Sequence, residues 1–224
     1  MNDDPAPGPA VVVMARAPRP GQVRRALEPV LGPDGCAALQ SALIVAAVRW
    51  ARGVTPAAVH VAYAPADAEP EIAALLTAGA DLFPQTGEGA GGGVADATAR
   101  VLARNRGPVL FVWPDLPRLR PAHAAAALGD LEAGCDVTVG PVIDGGFYLI
   151  GIKEPQPELF ALPEEVWRTP DVMGLGLAAG RDAGLEVGIL RAERALHRPA
   201  DVRAALADPT LAPELADILA GRAV

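Results

Sequence analysis

Gly140-Pro-Val-Ile-Asp-Gly-Gly-Phe-Tyr-Leu-Ile-Gly-Ile152 joins two apolar strands through a loop that holds one carboxylate and two adjacent glycines. Asp136 to Gly140 reads as a buried strand before the loop, and Phe147 to Ile152 as the strand after it. Gly145 and Gly146 let backbone approach a neighbour with no side chain in the way, while Asp144 aims one acid at the same place. A tight hairpin in which Asp-Gly only supplies positive φ would use the same letters. The surrounding pattern decides what this strand pair means for the fold.

That pattern alternates strand and helix. Ala10 to Met14, Val59 to Tyr63, Asp81 to Phe83, Val109 to Trp113 and Glu186 to Leu190 are short apolar runs of the buried parallel kind. Between them lie helix candidates: Asp34 to Arg52 with Gly53 as its stop, Glu69 to Ala78, Val94 to Arg104 behind a glycine-rich loop, and Pro121 to Ala133. Ala178 to Ala183 closes another helix, and Pro199 to Ala207 and Ala212 to Gly221 are the last two. Repeated βα units imply a mostly parallel sheet covered on both faces. The strand pair around Asp144 departs from a flavodoxin-like order, so the expected fold is a three-layer α/β/α sandwich with a mixed edge. No repeat or long linker divides the chain, which predicts a flexible segment 1–9 followed by one domain over 10–224.

Bulk properties narrow the function. The chain has 224 residues, 51% hydrophobic and only 4% aromatic, so Ala, Val and Leu must build the core. A formal net charge of -8 argues against nucleic acid as a partner, because phosphate-backbone binders need a basic surface. Lys153 is the one lysine, so nearly all positive charge is arginine. Cys36 and Cys135 match no metal or redox spacing and read as free thiols. The start of the chain is acidic and proline-rich, without the features of a signal peptide, and no apolar run reads as long and charge-free enough to span a bilayer. A cytoplasmic, soluble protein is the expectation, with a homo-oligomer left open.

Several motifs carry a family resemblance. Val11-Val-Val-Met-Ala-Arg-Ala-Pro-Arg-Pro-Gly21 followed by Leu27-Glu-Pro-Val-Leu-Gly32 resembles the opening of glycosyltransferase-A-like proteins. Phe111-Val-Trp-Pro-Asp-Leu-Pro-Arg-Leu119 looks like the "strand, Gly-Thr-Asp-Cys-Pro-x-Leu" motif of one such family, the radical-SAM/selenodomain-associated or arsenosugar-biosynthesis transferases. Gly140 to Gly151 is similar to that family's "GPxxDGGYYLIG", Trp167-Arg-Thr169 to its "WST", and Arg198-Pro-Ala-Asp-Val202 to its "TPEDL". The resemblance implies a nucleotide-diphospho-sugar transferase fold of the GT-A, Rossmann-like kind.

It also implies a site. The loop after the first strand, with Ala15, Arg16, Ala17, Pro18, Gly21, Arg24 and Arg25, would hold nucleotide phosphates, since guanidinium forks pair bidentately with phosphate oxygens. A solvated basic loop is the plainer reading of the same arginines. Gln85 would join the nucleotide side. Asp115 would be catalytic, binding a divalent cation, Mg²⁺ or Mn²⁺, that neutralises the leaving group. Asp144 would bind the acceptor or act as base, with Gly145, Gly146, Tyr148 and Trp167 around a small-molecule acceptor. His197, standing where relatives carry an acid, would complete the metal site, and an imidazole beside a carboxylate suits Mn²⁺ better than Mg²⁺.

The chain departs from the pattern where ligands are held. Family "Lys-Thr-Arg-Leu" reads Arg24-Arg25-Ala26-Leu27, the Gln85 loop keeps only the glutamine and glycines, and Ala195 and His197 replace two acids. Three functions therefore stay open: a glycosyltransferase using a nucleotide-sugar donor, a nucleotidyltransferase that releases pyrophosphate, and a degenerate nucleotide-binding scaffold. Open α/β sheets bind ligands beyond the carboxyl ends of their strands, so Asp115, Asp144, Arg16 and Arg24 are expected on one rim.

Overall fold

The computed structural model describes residues 8–77 and 79–222, the Arg168 side chain excepted. The first part of the expected flexible segment, residues 1–7, and the expected helix end at Ala78 lie outside them. Seven strands form one sheet in the order β3-β2-β1-β4-β6-β5-β7. These are β1 (Ala10–Arg16), β2 (Val59–Ala64), β3 (Asp81–Pro84), β4 (Val109–Val112), β5 (Val137–Pro141), β6 (Phe147–Ile152) and β7 (Val187–Ile189). Pairing is parallel except at β6, which runs antiparallel to both β4 and β5. The expected mixed sandwich is present, with one correction. The antiparallel strand is not at an edge but between β4 and β5, because the Asp144 loop folds β6 back beside β4.

Seven α-helices cover the sheet among the described residues: α1 (Glu28–Val54), α2 (Glu69–Leu75), α3 (Gly89–Leu102), α4 (Pro121–Glu132), α5 (Val172–Asp182), α6 (Pro199–Leu206) and α7 (Pro213–Leu219). Strand β1 shows why both faces must be covered. Its alternate residues Val11, Val13 and Ala15 pack with Ile44, Ala47 and Val48 of α1 and with Ala124, Ala127 and Leu131 of α4. Ala10, Val12 and Met14 point the other way, into a cluster with Val94, Ala97 and Val101 of α3. A strand apolar at every position can be satisfied only in the middle layer. A third cluster packs Leu39 and Leu43 of α1 against Val202, Leu215 and Ile218 of the last two helices. Truncating Leu43 to Ala would cost about 2–5 kcal/mol from lost burial and the cavity left behind.

Three further expectations need correction. Gly53 does not stop α1, which runs on to Val54; Thr55 closes it with its N–H on the Ala51 carbonyl. The helix instead breaks near its start, at Gly32 (φ 68, ψ 169), just before Pro33. The glycine patch expected as a loop before Val94 is the first turn of α3, which begins at Gly89. Residues 25–54 are also long and apolar enough, by length and composition, to cross a membrane. Their apolar side, including Leu39, Leu43, Ile44 and Val48, is buried in the core, so the helix passes that test as a central packing element.

Strands β1 and β4 are neighbours in the sheet, yet the chain leaves β1 toward β2 and leaves β4 toward the opposite side. Such a reversal opens a crevice at the carboxyl ends of the two strands. The loops after Arg16 and after Val112 both empty into it.

Candidate functional site

A cleft of about 440 Å³ lies there, lined by Arg16, Arg24 and Arg25 from the first loop and by Trp113, Asp115 and His197. Asp115 is placed by its own short loop: its N–H donates to the Trp113 carbonyl at 2.8 Å, and its carbonyl accepts from Leu196 N–H at 2.9 Å. The second bond ties the C-terminal strap, Leu190 to Arg198, to the end of β4. It also sets His197 beside the acids.

A continuous ion chain crosses the cleft floor. Arg24 Nη2 donates to Asp115 Oδ1 at 3.0 Å and to the Pro114 carbonyl at 2.7 Å, while Nη1 donates to the Leu196 carbonyl at 3.2 Å. Only 6% of the Arg24 side chain is exposed, and its Nε is buried with no hydrogen-bond partner among the described residues. His197 stands between the two carboxylates, Nε2 3.6 Å from Asp115 Oδ2 and Nδ1 2.7 Å from Asp144 Oδ2. Asp115, the larger influence, pushes the imidazole up; burial opposes it, and the bond to Asp144 adds to it, leaving the pKa at about 9. Burial alone would raise the Asp115 carboxyl, but the His197 contact and the Arg24 charge overcome it and hold it below its ordinary value.

A divalent cation does not fit this donor set. Two acids are already balanced by two cations, Arg24 and His197, so no excess negative charge remains to attract a dication. Both imidazole nitrogens face carboxylate oxygens, so a cation at His197 would have to displace a proton and break a carboxylate contact. The expected metal pair Asp115 and His197 stands here as an ion pair, 3.6 Å apart. Among the described residues no cluster of three or more acidic, His or Cys side chains is arranged to hold a metal.

The other sequence-selected residues divide sharply. Arg16 and Arg25 line the cleft, and neither guanidinium has a hydrogen bond or ion pair among the described residues. Arg24 lines it too, but as a clamp on Asp115. Arg19 is drawn away to Glu71 and Asp67, at 2.7 and 3.1 Å. Ala15 and Ala17 are buried, and Pro18 and Gly21 (φ 72) shape the loop outside the cleft wall. Gln85 donates to the Ala15 and Ala62 carbonyls at 3.1 and 2.8 Å. It staples strand ends together instead of facing the cleft.

On the expected acceptor side, Asp144 reaches the site only through His197. Gly145 has φ 104, and a Cβ there would lie 2.2 Å from the Pro170 carbonyl oxygen, so its lack of a side chain serves packing. A Cβ on Gly146 would come 3.3 Å from Val142. Tyr148 is fully buried and presses its ring onto Gly140, on the face of β6 away from Phe147, and cannot touch an acceptor. Trp167 meets Phe147 edge-on at 5.9 Å, and Phe147 meets Trp113 at 4.7 Å, so an aromatic row runs from the cleft to the segment before α5. The sequence reading missed Gln40, whose buried amide donates to the Arg16 carbonyl at 3.1 Å. A glutamine on the apolar face of a helix was the available signal.

The family described as "Uncharacterized protein conserved in bacteria (DUF2064)" matches residues 47–163, more than half of the chain. The chain belongs to DUF2064. No curated protein matches it. Among solved structures, a Desulfovibrio desulfuricans protein provisionally named a nucleotide-diphospho-sugar transferase is 24% identical, with a TM-score of 0.79, covering 94% of this chain and 93% of its own. A 4-diphosphocytidyl-2C-methyl-D-erythritol synthase gives 12% identity and a TM-score of 0.53 over 87% of this chain and 94% of its own. The CTP complex of CMP:2-keto-3-deoxy-manno-octonic acid synthetase gives 15% and 0.51 over 88% and 96%. These likenesses establish that this DUF2064 chain has the nucleotide-diphospho-sugar transferase fold.

Proposed function

We propose that this DUF2064 protein is a nucleotide-dependent transferase that binds a nucleotide-sugar in the β1–β4 cleft and moves the sugar to a small-molecule acceptor. The observation that carries the reading is that two guanidinium groups with no partner among the described residues, Arg16 and Arg25, line the same cleft as His197. Polyphosphate oxygens would satisfy their donors bidentately. Trp113 offers an aromatic face to a base or sugar ring. Arg24 and Asp115 keep the floor rigid, and the His197 imidazolium adds positive charge where the leaving phosphate gains negative charge.

In such a transfer the acceptor hydroxyl oxygen bonds to the anomeric carbon. The bond from that carbon to the phosphate oxygen breaks, and the nucleoside diphosphate leaves with the electron pair. The hydroxyl proton leaves to solvent in the open cleft, and Asp144 positions the His197 imidazole through their 2.7 Å hydrogen bond. Nucleotidyl transfer is the second reading, favoured by the gathering of Arg16, Arg24 and Arg25 on the first loop, where a triphosphate would lie. Incubation with nucleoside triphosphates and, separately, nucleotide-sugars decides between them. Release of nucleoside diphosphate from the sugar donor supports the first and pyrophosphate release the second. Release of neither, with nucleotide binding retained, supports a scaffold.

A further inference from the structure

Beside the strap lies a second cavity, of about 370 Å³, that shares only Leu196 with the cleft. Four arginines line it: Arg118 and Arg120 from the loop after β4, and Arg191 and Arg194 from the strap. We propose that it is an anion-binding site for a phosphorylated small molecule, separate from the cleft and independent of the nucleotide reading.

The argument is one of unmatched donors. The acids in this cavity are already committed. Glu193 accepts from Arg120 and from His123 Nε2, the latter at 3.2 Å. Asp201 accepts from Arg194 at 2.8 Å and from the backbone N–H groups of His197 and Arg198 at 3.3 and 2.8 Å. Asp208 binds Thr210 through its hydroxyl and N–H. The guanidinium groups are not exhausted. Arg118 makes one hydrogen bond, to Thr210 Oγ1 at 2.7 Å, and Arg191 makes none among the described residues. Each guanidinium carries five N–H donors in a fixed fork.

Four guanidiniums face three carboxylates here, in a chain whose net charge is -8. Elsewhere Arg19, Arg24 and Arg222 each have a carboxylate of their own. Arg120 and His123 hold Glu193 rigidly, and Asp201 fixes the start of α6, so the cavity wall is preorganised without the ligand. An anion with several oxygens at tetrahedral spacing is the chemistry that would satisfy planar forks from two loops at once.

Calorimetry with inorganic pyrophosphate at low salt tests this. The measurement is made in an Arg16→Ala/Arg25→Ala background, which removes the free guanidiniums of the cleft. The expected result is one saturable site, weakened at least about tenfold on adding Arg118→Ala and Arg191→Ala, the loss expected for charge-assisted contacts. Arg49→Ala/Arg181→Ala, two exposed arginines elsewhere, should leave it unchanged. No saturable binding in that background overturns the proposal, as does binding indifferent to Arg118 and Arg191 or equally sensitive to Arg49 and Arg181. The cleft reading fails by a different sign: wild type and the Arg16→Ala/Arg25→Ala variant would then bind pyrophosphate with the same stoichiometry and affinity.

Discussion

Two glycine-bearing segments, Asp144-Gly145-Gly146 and Gly87 to Gly93, look alike in sequence and do different work. Both are clasped by residues 157–173. A Cβ on Gly145 would lie 2.2 Å from the Pro170 carbonyl oxygen, and one on Gly91 would lie 2.2 Å from that of Phe160. Beyond that shared packing they diverge. The first loop sends an acid into the ion chain through His197. The second starts α3 and has its Ala90 N–H bound by Glu164 at 2.9 Å. A glycine run therefore marks close approach of backbone, and the chemistry depends on which charged side chain the loop carries.

The largest effect should come from the shared packing. Gly145→Ala combines a forbidden φ with a steric clash and should destabilise the fold by about 3 kcal/mol, read as a lower urea midpoint. A shift below about 1 kcal/mol would mean that the 157–173 segment yields easily and that the two loops differ less than argued.

Next comes the ion chain. Asp115→Asn leaves the buried Arg24 without its carboxylate and should cost about 2 kcal/mol, less than a fully buried pair because the acid keeps about a quarter of its exposure. Chemical denaturation at neutral pH checks it. Stability equal to the wild type would show that the carbonyls of Pro114 and Leu196 suffice for Arg24.

His197 gives a signature in pH. Its pKa rises on folding to about 9, so its stabilising contribution is fully present below pH 6.5 and is lost as pH climbs through about 9. The side chain is 36% exposed, so solvent screening limits the change to about 1 kcal/mol. Wild type should therefore lose stability over that window, and His197→Gln should show a flatter profile. Parallel profiles would detach His197 from the acids. Smallest of all, Glu164→Gln should cost about 0.5 kcal/mol at the start of α3, by weakening a carboxylate at a helix N-terminus.

Much of the fold was legible because buried strands such as Val11-Val-Val-Met14 leave no polar face, and βα alternation then dictates a sheet covered on both sides. The place of β6 was not, because a hairpin signal tells that two strands pair and not which third strand lies beside them. At the site, Asp115 and His197 were visible as candidates, but their relation was not. Whether an imidazole binds a metal or a proton depends on what faces its two nitrogens, and Asp144 and Asp115 are 53 and 82 residues away in the chain. Arg24 and Arg25 are adjacent in sequence, yet one is a buried clamp and the other an open donor. The αL backbone at Arg24 (φ 49), which turns successive side chains apart, has no sequence signal in a non-glycine residue.

The central claim is that the β1–β4 cleft binds nucleotide phosphates through Arg16 and Arg25, with Arg24 and His197 neutralising the acids in place of a divalent cation. Calorimetric titration of a nucleoside diphosphate, with Mg²⁺ or Mn²⁺ and with chelator, tests it in wild type and in Arg16→Ala/Arg25→Ala. The account predicts binding of similar affinity with and without the metal, weakened at least about tenfold in the double variant. Binding that requires the metal, or that is indifferent to both arginines, would contradict it.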